Sequence, residues 1–407
     1  MKAGIPLVAG GLVLSGLGGV ALAGASSTAP RAVPTYSLAY EGPLSGGNAQ
    51  LGLNMVYAVQ LSINLWNSGK LLRPKHVPKA WPPFKLSLVK KDDQGSPTVS
   101  PTVSAQLVAN SKVLGVVGPA FSGATAAAEP TFSSAHLATV SPSATNPVLA
   151  TMGWKNFFRV VADDSVQGPA DANYAVQKLH FTKIYNINDA SLYGSGLSSA
   201  FGTQASHDGA TVTNSTVPNT TGCGNGGSGD PAQYPGVAAA VKAANPQLLF
   251  YGGYYCDLGL LLGALSHAGY TGKVMSGDGS DDPHLILGTS PASAANGTYL
   301  TCPCAQLGTT AADKAFGSGF TKLAHFAPGT YSAESFDSAN AIIQVMLSLW
   351  STGGHKETRA NIVNALHKVS YKGITKTIKF QADGNIAGSA IYVNQVVGGK
   401  IVQLGLE

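Results

Sequence analysis

Apolar positions along this chain alternate between short continuous runs and longer stretches with helical spacing. The run Thr35–Tyr40 predicts a buried strand, and Asn48–Asn67 predicts a helix whose apolar stripe comprises Leu53, Val56, Leu61 and Leu65. Further strands are predicted at Leu86–Lys90, Val113–Val117 and Leu137–Val140, and further helices at Thr98–Ser111 and Gly123–Ser134. This order of strand and helix favours a parallel sheet with helices on both faces.

A second series with the same alternation occupies the middle of the chain. Its predicted helices are Gln167–His180, Gly194–His207, Ala232–Ala244 and Leu258–Ala268, and its predicted strands are Lys183–Asn188, Thr211–Val217, Leu248–Tyr251 and Val274–Ser276. Beyond it we predict a helix at Glu334–Trp350 and two strands, Thr377–Phe380 and Ala390–Val397. The prolines of Lys70–Pro83 indicate a surface insertion, and Asn219–Asp230 is a Gly-rich loop. The 407 residues therefore predict two similar α/β halves, each with its own core.

The first residues are typical of an export signal. Lys2 precedes the apolar stretch Ile5–Val20, and Ala21-Leu22-Ala23 has the small-x-small pattern of a cleavage site. We therefore predict a signal peptide at 1–23 and a flexible leader at 24–33. An uncleaved membrane anchor is the alternative, but the stretch is short for a bilayer span and is interrupted by glycines. The mature protein is expected in the periplasm or outside the cell, at the outer face of the cytoplasmic membrane.

Cysteine usage agrees with an exported protein. The chain has four cysteines, Cys223, Cys256, Cys302 and Cys304, and an even number in such a compartment favours one or two disulfides over metal ligands. Four cysteines allow three complete pairings. Cys302 and Cys304 are too close in sequence for an unstrained mutual bond, so we expect Cys223 or Cys256 to pair with one of them.

Two strand-to-helix turns in the first half suit an anionic ligand. The strand Val113–Val117 runs into Gly118–Gly123, which contains Ser122, and the strand Leu137–Val140 runs into Ser141–Pro147, which contains Thr145. Ligands gather at the carboxyl ends of parallel strands, and helix N-termini carry N–H donors with partial positive charge. The alternative is ordinary helix capping by Ser122 and Asn146, but two such turns on neighbouring strands favour a carboxylate site.

The second half offers complementary side chains at its own strand ends. Tyr193, Tyr254 and Asp278 each follow a predicted strand. Asp278 would pair with a positively charged group of a ligand while the two tyrosines shield it from water. The alternative for Asp278 is a plain turn aspartate in Asp-Gly.

Several function classes receive no support. Charged residues make up 11% of the chain and the net charge is +5, with no long run of like charges, so nucleic acid is not an expected partner. Nucleophile-elbow, zinc-protease and phosphate-loop motifs are absent from the sequence. We therefore expect no catalytic residues, no metal, no cofactor and no enzymatic activity.

A resemblance to a known family rests on motifs that occur in order along the chain. These are Gly42-Pro43-Leu44-Ser45-Gly46, Asp92-Asp93, Gly118-Pro119 with Ser122, Ser141–Pro147, Phe158-Arg159 with Gln167-Gly168-Pro169, Tyr193-Gly194, Gly252-Gly253-Tyr254, Asp278-Gly279, Glu334–Asp337, and Phe380 with Asp383-Gly384. The chain resembles the branched-chain amino-acid (leucine/isoleucine/valine) binding proteins of ABC transporters, which have the type I periplasmic-binding fold. The resemblance covers about residues 35–400.

This resemblance implies a role for each candidate residue. Ser122 and Thr145, with the backbone at Ser143 and Ala144, correspond to a clamp for the ligand carboxylate. Asp278 corresponds to the acid that meets the ligand ammonium group, and Tyr193 and Tyr254 to aromatic contacts from the other lobe. Leu51 stands where some members have a pocket tyrosine, so the preferred ligand side chain stays open.

The resemblance also implies an architecture and a mechanism. The fold class is α/β, with two Rossmann-like lobes that have parallel-sheet cores and are joined by a three-segment hinge. Lobe 1 would comprise 34–160 plus 302–391, and lobe 2 would comprise 161–301 plus 392–407, with crossings near Val161, Thr301 and Ile391. The expected function is capture of an amino acid or related carboxylate by hinge closure and delivery to an ABC permease, by a monomeric protein. A sensor or receptor component is the alternative, as is a binding protein for amides, urea-like compounds or aromatic acids.

Overall fold

The computed structural model describes residues 33–71, 81–217, 223, 227, 229–304, 307–351, 357–388 and 390–406. The predicted signal peptide, nearly all of the predicted leader, and most of the Lys70–Pro83 and Asn219–Asp230 segments lie outside these residues. No helix within the described ranges is long and apolar enough to cross a membrane.

The first sheet has five parallel strands in the order β2-β1-β3-β4-β5. The strands are β1 (Thr35–Gly42), β2 (Lys85–Asp92), β3 (Val113–Val117), β4 (Ala138–Ser141) and β5 (Phe157–Arg159), and the intervening helices are α1 (Ala49–Asn67), α2 (Ser100–Ala109), α3 (Ser122–Ser134) and α4 (Val148–Thr151). Every residue of β3 is buried, as expected for a strand that is covered on both faces.

The second sheet has seven strands, of which the last two along the chain are antiparallel additions. It is built from β6 (Lys183–Asn188), β7 (Thr211–Thr216), β8 (Leu248–Gly252), β9 (Lys273–Ser276) and β10 (Tyr299–Cys302), with helices α5 (Asp164–Asn173), α6 (Leu192–His207), α7 (Tyr234–Ala244), α8 (Tyr255–Ala268) and α9 (His284–Gly288). Strands β6 to β10 pair in parallel, so each following helix begins at the same edge of the sheet.

The chain after β10 leaves the second sheet and later returns to it. It forms α10 (Ala311–Ala324), α11 (Ser332–Ser351), α12 (Arg359–Leu366), and the small pair β11 (Tyr371–Lys372) and β12 (Thr377–Ile378), and then adds β13 (Tyr392–Val397) and β14 (Lys400–Leu406) to the second sheet. Helix α11 packs against α1, where Ser335 Oγ donates to the Met55 carbonyl at 2.9 Å. Strand β13 pairs antiparallel with β10, and the last residue of β10, Cys302, pairs with the first residue of β13, Tyr392. The second sheet therefore has the order β14-β13-β10-β9-β8-β6-β7.

The predicted fold class and most predicted elements are confirmed. The predicted helix Glu334–Trp350 agrees with α11, and Ala390–Val397 agrees with β13. The sequence did not predict the helices α4, α9, α10 and α12 or the strands β5, β10, β11 and β14. The predicted helix Gln167–His180 agrees with α5, which contains Pro169, followed by a π-helical turn at Tyr174–Lys178.

The predicted disulfide pairing is wrong. Cys223 bonds to Cys256, with 6.0 Å between their Cα atoms, and Cys302 bonds to Cys304, with 5.0 Å between theirs. The first pair forms because Cys223 lies at the N-terminus of α8, where its backbone N donates to Asp257 Oδ2 at 2.8 Å. The second forms because the backbone turns at the end of β10 and brings both Cα atoms within the ordinary range for a disulfide.

Candidate functional site

The two turns predicted to hold an anion lie side by side at the carboxyl edge of the first sheet. Helix α3 begins at Ser122, directly after the turn that follows β3, and Ser122 is buried. Its hydroxyl accepts a hydrogen bond from Asn146 N at 3.2 Å, in the turn that follows β4. Because β3 and β4 are neighbouring parallel strands, both turns meet at one place, next to the positive end of α3.

The β4 turn is held rigidly by its own hydrogen bonds. Ser143 Oγ donates to the Ala120 carbonyl at 2.7 Å, and Ala144 N donates to Ser141 Oγ at 3.0 Å. Arg159 Nη1 donates to the carbonyls of Ala144 and Asn146 at 3.2 and 2.8 Å. The Ser143 hydroxyl and the Ala144 backbone thus already have partners, and their predicted contact with a ligand stays a prediction.

Thr145 differs from its neighbours because its buried hydroxyl makes no hydrogen bond of normal geometry, although it interacts with the Asp164 carboxylate. Its carbonyl accepts from Asp164 N at 2.9 Å, so the turn is joined to the start of α5. The Thr145 hydroxyl is therefore the polar group of this turn with the weakest protein contact, and its contact with a ligand stays a prediction.

Asp278 is the centre of the second group of predicted residues. It is buried directly after β9, where Tyr193 OH donates to its Oδ1 at 2.9 Å and Tyr331 OH donates to its Oδ2. Gly279 N in turn donates to Tyr193 OH at 3.0 Å. The preceding residue, Gly277, allows this approach, because a Cβ there would lie 2.9 Å from Tyr193 OH. Asp278 is therefore a fixed carboxyl group and not a solvated turn aspartate.

Aromatic rings connect the two groups. Tyr254 packs on Tyr193 with 5.0 Å between ring centroids and stacks on Phe121 at 4.2 Å with an interplanar angle of 27°. Phe121 precedes Ser122 at the end of the first sheet, whereas Tyr254 follows β8 of the second sheet. The predicted residues of both halves thus border one buried region.

Burial controls the electrostatics of Asp278. Burial raises the pKa of Asp278, and the hydroxyls of Tyr331 and Tyr193 partly offset this by stabilising the charged form. Burial also raises the pKa of Tyr193 and Tyr331 well above the usual value, so both phenols remain hydrogen-bond donors.

A second buried carboxyl group, Asp164, lies in the same neighbourhood and was not identified from the sequence. Burial raises its pKa well above the usual value, and the charge of Asp278 raises it further, while the Thr145 hydroxyl and Arg159 lower it. Neither of its carboxylate oxygens accepts a hydrogen bond of normal geometry. Two neighbouring buried acids without a cation between them favour a ligand that carries a positive charge.

Arg159 is buried nearby and its charge lowers the pKa of Asp164, but its hydrogen bonds go to other groups. Its Nε donates to Asn385 Oδ1 at 2.6 Å, and its Nη2 forms an ion pair with Asp163 at 2.8 Å. With Nη1 bound to the β4 turn, the guanidinium holds the first-sheet side of the site in place. Its signal in the sequence was the Phe158-Arg159 motif.

One group within the described residues has the composition of a metal site. Ligand atoms of Asp281, Cys302 and Cys304 lie within 4.8 Å of one another. The two sulfur atoms are bonded to each other, so neither is a thiolate that could bind a metal. Cys304 and Asp281 instead line a cavity of about 320 Å³, together with Tyr331.

Comparison with known proteins gives a consistent result. The profile of the periplasmic binding protein family matches residues 35–400. The Leu/Ile/Val-binding protein homolog 3 of Brucella melitensis is 25% identical over 396 residues, which is 96% of this chain and 99% of that protein. The Leu/Ile/Val-binding protein of Escherichia coli K12 is 28% identical over 219 residues, and this match covers 54% of this chain and 56% of that protein.

Solved structures share the fold. The branched-chain amino acid transporter substrate binding protein LivJ of Streptococcus pneumoniae, in complex with isoleucine, has a TM-score of 0.77 and 24% identity, with 92% of this chain and 99% of that chain covered. A solute binding protein of an ABC transporter from R. palustris, in complex with benzoate, has a TM-score of 0.76 and 18% identity, with 91% and 96% covered. The family profile spans nearly the whole described chain, and the chain therefore belongs to the periplasmic binding protein family.

Proposed function

We propose that this protein is the extracytoplasmic solute-binding component of an ABC importer and that it encloses an amino acid between two lobes. The observation that supports this most directly is the position of Asp278. Two tyrosine hydroxyls hold its carboxylate, and the Tyr254–Phe121 stack connects it to the Ser122 and Thr145 turns. An amino acid zwitterion carries a carboxylate that the two turns could bind and an ammonium group that could pair with Asp278.

The lobe boundaries proposed from the sequence are supported by the sheets. Lobe 1 (34–160 plus 302–391) contains the first sheet and α11, and lobe 2 (161–301 plus 392–407) contains the second sheet. Three crossings near Val161, Thr301 and Ile391 would form the hinge. The ligand would dock on lobe 1, and closure of lobe 2 would add Asp278, Tyr193 and Tyr254.

The chemistry of the site favours an amino acid over an aromatic acid without an amine. The ligand carboxylate would receive hydrogen bonds from Ser122, Thr145 and the N-terminus of α3. The ammonium group would lie near Asp278 and Asp164, whose buried carboxyl groups otherwise resist ionisation. Benzoate would occupy the carboxylate position at Ser122 and Thr145 and would leave Asp278 and Asp164 without a positively charged partner.

Several parts of the proposal rest on the family alone. Its relatives are named for binding leucine, isoleucine and valine, and this supports a branched aliphatic ligand. The family consists of solute-binding proteins, which supports a role without catalysis. Export by the predicted signal peptide, an ABC permease as partner and a monomeric state complete the proposal.

A binding screen tests this function. The mature protein would be titrated by calorimetry with L-leucine, L-isoleucine, L-valine, benzoate and two leucine analogues, isoamylamine and 4-methylpentanoate. We expect micromolar binding of at least one branched-chain amino acid, which corresponds to about −8 kcal/mol. Each analogue lacks one charged group and is expected to bind at least about 100-fold more weakly. Equal affinity for the amine-free acid would contradict the assignment of Asp278.

A further inference from the structure

Besides the Tyr254–Phe121 stack, the two proposed lobes also contact each other at the N-termini of α1 and α8. Gly47 N donates to the Gly227 carbonyl at 3.3 Å, and Gln50 N donates to Tyr255 OH at 3.3 Å. Cys256 N donates to Asn48 Oδ1 at 3.4 Å. These contacts, here called the rim contact, involve none of the residues assigned to the ligand.

The rim contact is unusually close at Gly47. A Cβ at this position would lie 2.4 Å from Cys256 Sγ and 2.8 Å from Cys223 Sγ. Gly47 is not among the residues with positive φ, so a left-handed backbone is not the reason for glycine here. The reason is space, because the Cys223–Cys256 disulfide packs directly on the Gly47 backbone.

The disulfide is held firmly on its own side. Asp257 Oδ2 accepts from Cys223 N at 2.8 Å, and Asp257 Oδ1 accepts from Tyr234 OH at 2.7 Å. Asp257 is fully buried in the first turn of α8. The disulfide therefore cannot move away from a side chain at position 47 without disturbing this buried network.

We propose that Gly47 and the Cys223–Cys256 disulfide form a latch that stabilises the closed arrangement of the two lobes. This inference rests on the hinge closure proposed above and adds a positioning residue, Gly47, that does not touch the ligand. The two sulfur atoms lie against the Gly47 backbone, and the absence of a side chain at position 47 lets the opposing backbone reach them. Ligand affinity depends on the latch because only the closed form provides both sets of ligand contacts.

The test is the substitution Gly47→Ala, with Gly236→Ala as the matched control. A Cβ at Gly236, in α7, would meet no atom within 4 Å. Small-angle scattering of each protein without ligand, followed by calorimetry with L-leucine and L-isoleucine, gives two readouts. For Gly47→Ala we expect a larger radius of gyration and roughly tenfold weaker binding, because the closed fraction falls. The control Gly236→Ala is expected to have the same radius of gyration and the same ligand affinity as the parent protein.

A second variant separates the latch from a local effect of the added methyl group. Cys223→Ser/Cys256→Ser removes the surface on which Gly47 packs and is expected to change both readouts in the same direction as Gly47→Ala. Circular dichroism establishes that both variants are folded. A radius of gyration and affinities equal to those of Gly236→Ala in both variants would overturn the latch.

These readouts also distinguish the latch from the function on which it rests. If neither amino acid binds the parent protein, the proposed ligand class fails. The radius of gyration without ligand then decides the latch, since an unchanged value in Gly47→Ala contradicts it and an increase supports it.

Discussion

The two faces of the candidate site are held in different ways. On the first-sheet face, Ser122 and the β4 turn are held by partners close in sequence, such as the bonds from Asn146 N to Ser122 and from Ser143 to Ala120. On the second-sheet face, Asp278 is held by Tyr193 of the same proposed lobe and by Tyr331, which precedes α11 in the other, and these lie 85 and 53 residues away along the chain. The first face is built mainly from two turns on neighbouring strands, whereas the second joins segments much farther apart along the chain.

The faces also differ in charge. The first offers hydroxyls and a helix N-terminus, which suit an anion, and the second offers Asp278 with Asp164 nearby, which suits a cation. The proposed anion site on neighbouring turns and the acid held by distant segments should respond differently to substitution. The following predictions use that difference.

The largest effect is expected for Asp278→Asn. This change keeps the size of the side chain but removes the charge that would pair with the ligand ammonium group, so affinity should fall about 100-fold, which corresponds to about 2.7 kcal/mol. Calorimetry with the best branched-chain ligand measures this. The control Asp230→Asn changes a carboxylate that caps the 3₁₀ turn before α7 and should bind like the parent. Retention of full affinity would mean that the cation lies elsewhere.

Ser122→Ala is expected to have a smaller effect. It removes one hydroxyl from the anion face while the N-terminus of α3 remains, so affinity should fall about tenfold. The control is Ser199→Ala, an exposed position on α6. If Ser122→Ala binds the ligand with the same affinity as Ser199→Ala, the Ser122 hydroxyl is not part of the proposed carboxylate clamp.

Tyr331→Phe tests the long-range support of the second face. The Tyr331 hydroxyl lowers the pKa of Asp278, so its removal raises that pKa and leaves the acid protonated up to a higher pH. We expect about a fivefold loss of affinity near neutral pH and a loss on acidification that begins at a higher pH than in the parent. Titrations from about pH 5 to about pH 8 measure both. An unchanged pH profile would show that Tyr331 does not control Asp278.

The smallest effect is the pH dependence of stability. Burial raises the pKa of Glu129 from 4.5 to about 7 and that of Asp189 from 3.8 to about 7. Protonation therefore stabilises the folded state, and this contribution is complete below the unfolded values and is lost as pH rises to about 7. We expect the melting temperature to fall by a few degrees across that interval.

The variant Glu129→Gln measures how much of this change of melting temperature with pH comes from Glu129. Glu129 accepts hydrogen bonds from Thr139 and Asn156, and a neutral amide keeps an acceptor there without the ionisable group. The melting temperature of the variant should depend less on pH than that of the parent. An identical slope would assign the pH dependence to other carboxyl groups.

Much of the fold was predictable because its signals are local. Strand β3 is a continuous apolar run and α11 carries an apolar stripe, and both were found with nearly their observed bounds. Helix α10 and strand β14 were missed. Strand β14 is an edge strand whose Val402, Leu404 and Leu406 are exposed. Its apolar positions therefore do not mark a face that is buried in the core.

The missed site residues share a physical cause. Asp164 follows Asp163 in what reads as an ordinary helix start, and Tyr331 precedes α11 without a motif of its own. Their importance comes from burial beside Asp278, which no local pattern encodes. The cysteine pairs were mispredicted for the same reason, since the position of Cys223 beside Asp257 and Cys256 of α8 is not encoded by any local pattern.

The sequence by itself determined the alternation of strands and helices, the positions of the two turns proposed to bind an anion, and the family, because these depend on periodicity and on motifs within short segments. The tertiary structure alone decided which tyrosines hold Asp278, that Phe121 meets Tyr254, that a second acid lies nearby, and that a disulfide packs on Gly47. Those contacts join segments far apart in the chain, and their free energies depend on burial and close packing, which arise only when both sheets have formed.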